Sequence, residues 1–293
     1  MQTLSKAIDC LVMECDLQPC TIQQYRLAIS RFSSWLGHPG TSNDLTTENV
    51  NGFLVDLQKR VTARTVRNYR VSITRIWNYL SETEGLAGYN PRRLRRPKIE
   101  SKPVTSWSCD QVAILVASTE SLDYKLRCGL TERDFLAAWI KVGYDTGLRP
   151  IDLRLLRWTD IDFDHNSISI TQHKTKNVHT AVLGKESIEA LKRIRSPVRE
   201  LVFPMSKGGL RRLEVKLFNL AKRYGFQRNR GQGIGTLRKT HATEIYKTQG
   251  ENAAAESLGH VGGVRTVRAS YIDHRAVRHG RLPPSLGNKR AVS

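Results

Sequence analysis

Tyr144-Asp145-Thr146-Gly147-Leu148-Arg149-Pro150-Ile151-Asp152-Leu153 is the stretch on which the reading of this 293-residue chain turns. Thr146 and Gly147 are turn-forming, and they deliver a single arginine, Arg149, to the start of a new segment. Four further residues stand out downstream. Lys174 sits in a hairpin-like Gln172-His173-Lys174-Thr175, and Arg238 lies in Thr236-Leu237-Arg238-Lys239-Thr240-His241-Ala242-Thr243. His260 ends Leu258-Gly259-His260, and Tyr271 follows in Ala269-Ser270-Tyr271-Ile272. Three cations, a histidine and a phenol are the groups a protein needs to attack a phosphodiester without metal.

Bulk properties favour a phosphodiester partner. Lys and Arg outnumber Asp and Glu by 47 to 27, a net charge of +20 spread along most of the chain. Such an excess predicts a polyanion, because each neutralised phosphate releases condensed counterions from nucleic acid. With 39% apolar and 25% charged residues, wholesale disorder is excluded. No run is apolar enough to span a bilayer and no lipidation signal is present, so a membrane partner is not expected. Five cysteines, odd in number, read as free thiols in a reducing cytoplasm. Cys10, Cys15 and Cys20 are evenly spaced but lack a CxxC pair or a nearby His, so no metal is expected there. Length predicts two domains.

The first 90 residues read as helices. Thr21 can cap one carrying Tyr25, Ile29, Phe32 and Leu36, ended by Gly37, and Thr46-Thr47-Glu48 opens another through Leu57. From Thr62 to about Leu80, Val66, Tyr69, Ile73, Ile76, Trp77 and Leu80 fall on one helical face. Arg64 and Arg75 fall opposite, Arg67 on the flank and Arg70 nearer the apolar edge, a phosphate-tracking surface. Pro91-Arg92-Arg93-Leu94-Arg95-Arg96-Pro97-Lys98 is a proline-bounded basic stretch and reads as a linker lying close to DNA rather than packed in a core. Beyond it come a helix from Ser108, a buried helix through Phe135–Val142, and short strands within 160–171 and 178–183. Helices resume from Ser187 and again from Leu210. The expected fold is mainly α with a small antiparallel β-sheet, in two domains: 1–95, a linker 96–104, 105–280, and a C-terminal tail 281–293.

The stretch 144–153 resembles the first signature of the tyrosine recombinases, the phage integrase family. Leu237-Arg238, Leu258-Gly259-His260 and Tyr271 resemble its second signature, in the family's order. The N-terminal helices and the basic stretch resemble the family's core-DNA-binding domain, so nearly the whole chain is covered. What this implies is a two-domain clamp on double-stranded DNA, with 105–280 the catalytic domain. By resemblance, Tyr271 is the nucleophile, leaving a 3′-phosphotyrosine and a free 5′ hydroxyl, and Lys174 is the general acid, with Lys176 its rival. His260 holds the phosphate or helps take up the tyrosine proton, and Asp152 orients the site's cations or histidine rather than reacting itself. Arg149 and Arg238, planar and permanently charged, suit the two non-bridging oxygens of one phosphate. Neither ATP nor metal nor other cofactor is implied. The implied partner is a homotetramer on DNA, with an accessory DNA-bending factor left open, in the cytoplasm of the cell or of a viral host. Alongside Arg64, Arg67, Arg70 and Arg75, the DNA-binding candidates are Arg92, Arg93, Arg95 and Arg96.

Two departures stand against the family pattern. Its second signature usually has His, sometimes Lys, three residues before the arginine, where this chain has Gly235. The interval from His260 to Tyr271 is also about two residues longer than is common, and includes Gly262-Gly263. Two alternatives follow: a type IB topoisomerase-like enzyme that relaxes DNA without exchange, or a DNA-binding protein descended from a recombinase and catalytically weakened. The chain leaves no room before its first helices for the arm-binding domain of some integrases, so simple target sites are expected.

Overall fold

Threonines start three of the first four helices. Thr3, Thr46 and Thr62 each accept a backbone N–H three residues on, capping α1 (Leu4–Glu14), α3 (Thr47–Gln58) and α4 (Ala63–Glu84). The helix between them, α2 (Pro19–Leu36), corrects the expectation of a cap at Thr21. The cap is Gln18, because Pro19 occupies the first turn, where its missing N–H costs nothing and its fixed φ already suits a helix. Gly37 ends it at φ +82°. These features come from a computed structural model that describes residues 2–86, 90–100, 102–259 and 263–277.

The chain divides into two compact units between residues 101 and 102. In the first, α4 packs on α1, α2 and α3. Its stripe Val66, Tyr69, Ile73, Ile76, Trp77 and Leu80 is buried, as its spacing requires. Phe53 stands edge-on to both Phe32 and Tyr69 at 5.4 and 6.2 Å between ring centres. The basic stretch differs from its expected role as a free linker. Leu94 is 2% exposed in the core of this unit, Asn51 donates to Arg93 O, and Arg95 N–H donates to Asn51 at 2.7 Å. One apolar residue among arginines is enough to dock the segment.

The second unit is built on α6 (Glu132–Thr146), capped by Thr131 and buried along most of its length. Its Phe135 and Trp139 meet Phe203 at 5.6 and 5.0 Å. Around it lie α5 (Cys109–Ser118), which opens with a Ser108–Gln111 capping box, and α7 (Pro150–Leu155). Strands β1 (Ile161–Asp162), β2 (Ser167–Thr171) and β3 (Val178–Val182) form an antiparallel sheet in that order, with Ile168 opposite Ala181 and Ile170 opposite His179. Then come α8 (Lys185–Ile194), α9 (Lys207–Ala221), α10 (Thr236–Ser257) and α11 (Val264–Ser270). Gly250, at φ +87° and ψ −172°, breaks α10 in two. A separate small core of Ala242, Ala254, Ala255, Leu258, Val267 and Ile272 joins α10 to α11. Among the described residues no helix is long and apolar enough to cross a membrane. His260 and the 281–293 tail lie outside the described residues.

Candidate active site

Gly147 sets the site's geometry. It ends α6 in the left-handed region at φ +58°, and a Cβ there would lie 2.6 Å from His241 Cδ2 and 2.9 Å from Leu258 Cδ2. The chain then turns at Leu148 and places Arg149 immediately before α7, whose first residue is Pro150. Arg238, in the first turn of α10 and 3% exposed, reaches the same turn from the other side. Its Nη1 donates to Gly147 O at 2.6 Å and its Nη2 to Leu258 O at 3.0 Å. Arg149 Nη1 donates to Gln172 Oε1 at 2.8 Å, and Gln172 Nε2 donates to Leu258 O at 3.1 Å. Two arginines from distant parts of the sequence are thus tied to one carbonyl.

Asp152 and Tyr271 complete the cluster. Asp152 Oδ1 accepts His173 N–H at 2.9 Å, anchoring the hairpin, and Oδ2 stands 3.7 Å from Arg149 Nη1. The carboxylate therefore orients a cation and a turn at once. Tyr271 ends α11, its N–H donating to Val267 O at 2.8 Å, and its ring lies 5.0 Å from the Arg238 guanidinium. Asp273 holds the segment beyond: its Oδ2 accepts Ser106 N–H at 2.7 Å, and its own N–H donates to Thr243 Oγ1. Lys174 is at the hairpin tip, exposed, and its side chain makes no hydrogen bond or ion pair with another described residue. Lys176 follows in the left-handed region at φ +59°, completing the turn.

Burial shapes the electrostatics. It draws the Arg238 guanidinium below its ordinary value, with Arg149's charge adding and Tyr271 and Asp152 opposing. His179, on the inward face of β3, is pulled down by burial and then by Arg238, against Asp152. His241 is pushed down to about 4, by burial first, although its Nδ1 pairs with Tyr144 O at 2.8 Å. Both imidazoles are therefore neutral at pH 7, and each has its Nε2 buried without a hydrogen-bond partner among the described residues. His241 and Lys239 are the nearest substitutes in sequence for the group absent at Gly235. His241 is turned inward, whereas Gly235 is exposed and faces Pro150 Cγ at 3.4 Å from where its Cβ would stand.

The sequence profile of the phage integrase family, described as such, fits residues 110–277, more than half of the chain. The chain belongs to the phage integrase family. It is 22% identical to tyrosine recombinase XerC of Xanthomonas axonopodis pv. citri over an alignment covering all of both chains. With XerC of Oceanobacillus iheyensis it shares 27% identity over 56% of this chain and 52% of the relative. In fold it is similar to a lambda integrase dimer bound to a core site, with TM-score 0.74 and 17% identity over 96% of this chain and 79% of that one. A lambda integrase tetramer bound to a Holliday junction gives 0.68 and 19%, over 88% and 76%.

For a phage integrase relative, the cationic residues of the first unit are the other element of interest. Arg64 and Arg67 on α4 are exposed. Arg70 is half-buried and donates to Pro91 O at 2.9 Å, and Arg75, set opposite the apolar stripe by helical spacing, is half-buried with Nη2 3.9 Å from Cys15 Sγ. Arg92, Arg93, Arg95 and Arg96 are exposed, with Arg95 also reaching Gln58 Oε1 at 3.0 Å. In the second unit, Gln172 and His179 are the site residues that sequence reasoning passed over. Alternation in β3 does signal the histidine, since it shares the inward face with Ala181. No comparable signal marks Gln172.

Proposed function

We propose that this chain is a site-specific DNA recombinase that cleaves and rejoins duplex DNA through a 3′-phosphotyrosine at Tyr271. The observation that carries the reading is the convergence of Arg149 and Arg238 on Leu258 O, directly and through Gln172, with the Tyr271 ring against Arg238. Two fixed guanidinium groups beside a phenol supply the charge that a five-coordinate phosphorane needs. Tyr271 Oη attacks phosphorus, the bond from phosphorus to the 5′ oxygen breaks, and Lys174 protonates the departing oxygen. His260 holds the phosphate or helps take up the tyrosine proton. The free 5′ hydroxyl of this or a second duplex reverses the step, so the bond energy is kept in the covalent intermediate.

Residues 1–95 act as the core-DNA-binding domain and 105–280 as the catalytic domain, joined through 96–104, with the exposed arginines of α4 and 92–96 following phosphates. Lambda integrase on DNA as a dimer and a tetramer supports a tetrameric assembly of this chain during exchange. A substrate of chromosomal or phage DNA favours work in the cytoplasm. The test is a nicked suicide duplex. The wild-type chain is expected to form a covalent adduct stable to denaturation, and Tyr271→Phe to abolish it. An undiminished adduct in that variant sinks the assignment of the nucleophile. Two-site recombination, assayed beside relaxation of supercoiled DNA, separates exchange from relaxation alone.

A further inference from the structure

We infer that Gln172 is a positioning residue that holds both arginines and the lysine hairpin in one geometry. The assignment rests on the recombinase reading above and extends it to a residue outside the five. Gln172 is fully buried just after β2. Its side-chain oxygen accepts from Arg149 Nη1 and from Thr175 Oγ1, each at 2.8 Å. Its side-chain nitrogen donates at 3.1 Å to Leu258 O, the carbonyl that Arg238 Nη2 also reaches. Its backbone closes the hairpin, with Gln172 N–H donating to Asn177 O and Lys176 N–H to Gln172 O, both at 2.9 Å. One side chain therefore touches the first arginine, the anchor of the second, and the turn that carries Lys174.

The amide can point only one way. Its oxygen faces two donors and its nitrogen faces a carbonyl, so a flip would set N–H against guanidinium and oxygen against oxygen. A neutral amide is also the right chemistry. A buried carboxylate would pair with Arg149, lower the positive charge available to a phosphate, and cost Leu258 O one of its two donors. The close approach of Leu258 depends on Gly259, at φ +62°, where a Cβ would lie 2.7 Å from Gln172 Nε2 and 2.8 Å from His179 Nδ1. Among the described residues, the charged and titratable groups around Gln172 include Arg149 and Asp152 at α7, Arg238 on α10 and His179 on β3, with His173, Lys174 and Lys176 on its own hairpin.

The experiment compares the full-length wild type with Gln172→Glu and Gln172→Met, which preserve length. Single-turnover adduct formation on the nicked duplex is followed from about pH 5.5 to 8.5, with duplex affinity measured in parallel. Misplacing reacting groups by about 1 Å costs on the order of 100-fold in rate, and a loss of that size is expected for both variants at high pH, with affinity within a few-fold. Toward acid, the carboxyl introduced by Gln172→Glu takes up a proton, becomes neutral and donates to Leu258 O. The ratio of Gln172→Glu to wild type therefore rises while that of Gln172→Met stays flat. A role in packing alone would give no such divergence. Either variant cleaving within about threefold of wild type at the high-pH end, or parallel pH profiles across the range, overturns the inference. If even the wild type forms no adduct, the recombinase reading fails separately. Hydrogen exchange across residues 173–177 then decides the positioning role, faster in Gln172→Met if it holds and unchanged if it does not.

Discussion

At Gly235, where the family resemblance leads one to expect His or Lys, the chain has no side chain, and the backbone there is ordinary. Its φ of −66° and ψ of −9° are helical, and the nearest atom to an added Cβ is Pro150 Cγ at 3.4 Å, normal contact. Nothing steric therefore keeps the position as glycine. Gly235→His is expected to raise the single-turnover cleavage rate by about tenfold, less than the roughly 100-fold or more of a fully positioned proton donor. An unchanged rate would mean that another group already serves. Arg149, Arg238 and Tyr271 were legible in the sequence because each sits inside a local motif. Gln172 was not, because its importance comes from partners 23 and 86 positions away, and a glutamine in a strand end carries no chemistry by itself.

On α4, periodicity found the buried stripe but misjudged its far side. Arg75 is half-buried because α1 brings Cys15 against it, and a helical wheel contains no neighbouring helix. The same limit explains Leu94, whose burial depends on a surface presented by the other helices. The break at Gly250 was also illegible, since a lone glycine within a helical pattern is usually tolerated. If α4 follows phosphates, its exposed pair should carry the electrostatics. Arg64→Ala with Arg67→Ala is expected to lower the slope of log affinity against log salt by roughly 2, near 0.9 per phosphate contact. Arg75→Ala is expected to leave that slope unchanged and to lower thermal stability instead. Fluorescence anisotropy across a salt series, with a melting curve for each variant, checks both.

The two units have separate cores, and acid should distinguish them. His179 and His241 lie in the second, both held below their ordinary value of 6.5, His241 down to about 4. A histidine depressed by folding binds its proton more readily when unfolded, so its stabilisation is complete above pH 6.5 and is lost as pH falls toward 4. For His241 the loss is on the order of 3 kcal/mol. In the first unit Asp44 is shifted down from 3.8, so its contribution fails only below that window. Hydrogen exchange between about pH 7 and 4.5 should show the second unit loosening first, and His241→Gln should blunt the effect. A uniform response of both units would refute this division.

Ser106 and Asp273 join the beginning of the second unit to the segment just past Tyr271. The chain enters this unit within a few residues of Ser106, Asp273 lies two residues beyond Tyr271, and its carboxylate clasps the incoming segment. Trp107 N–H adds a second clasp to Thr240 Oγ1, two residues after Arg238. A tug on the incoming polypeptide is therefore carried to the exit of Tyr271 and to the helix of Arg238 along hydrogen bonds no longer than 3.2 Å. The point of entry into the second unit is mechanically in series with Tyr271.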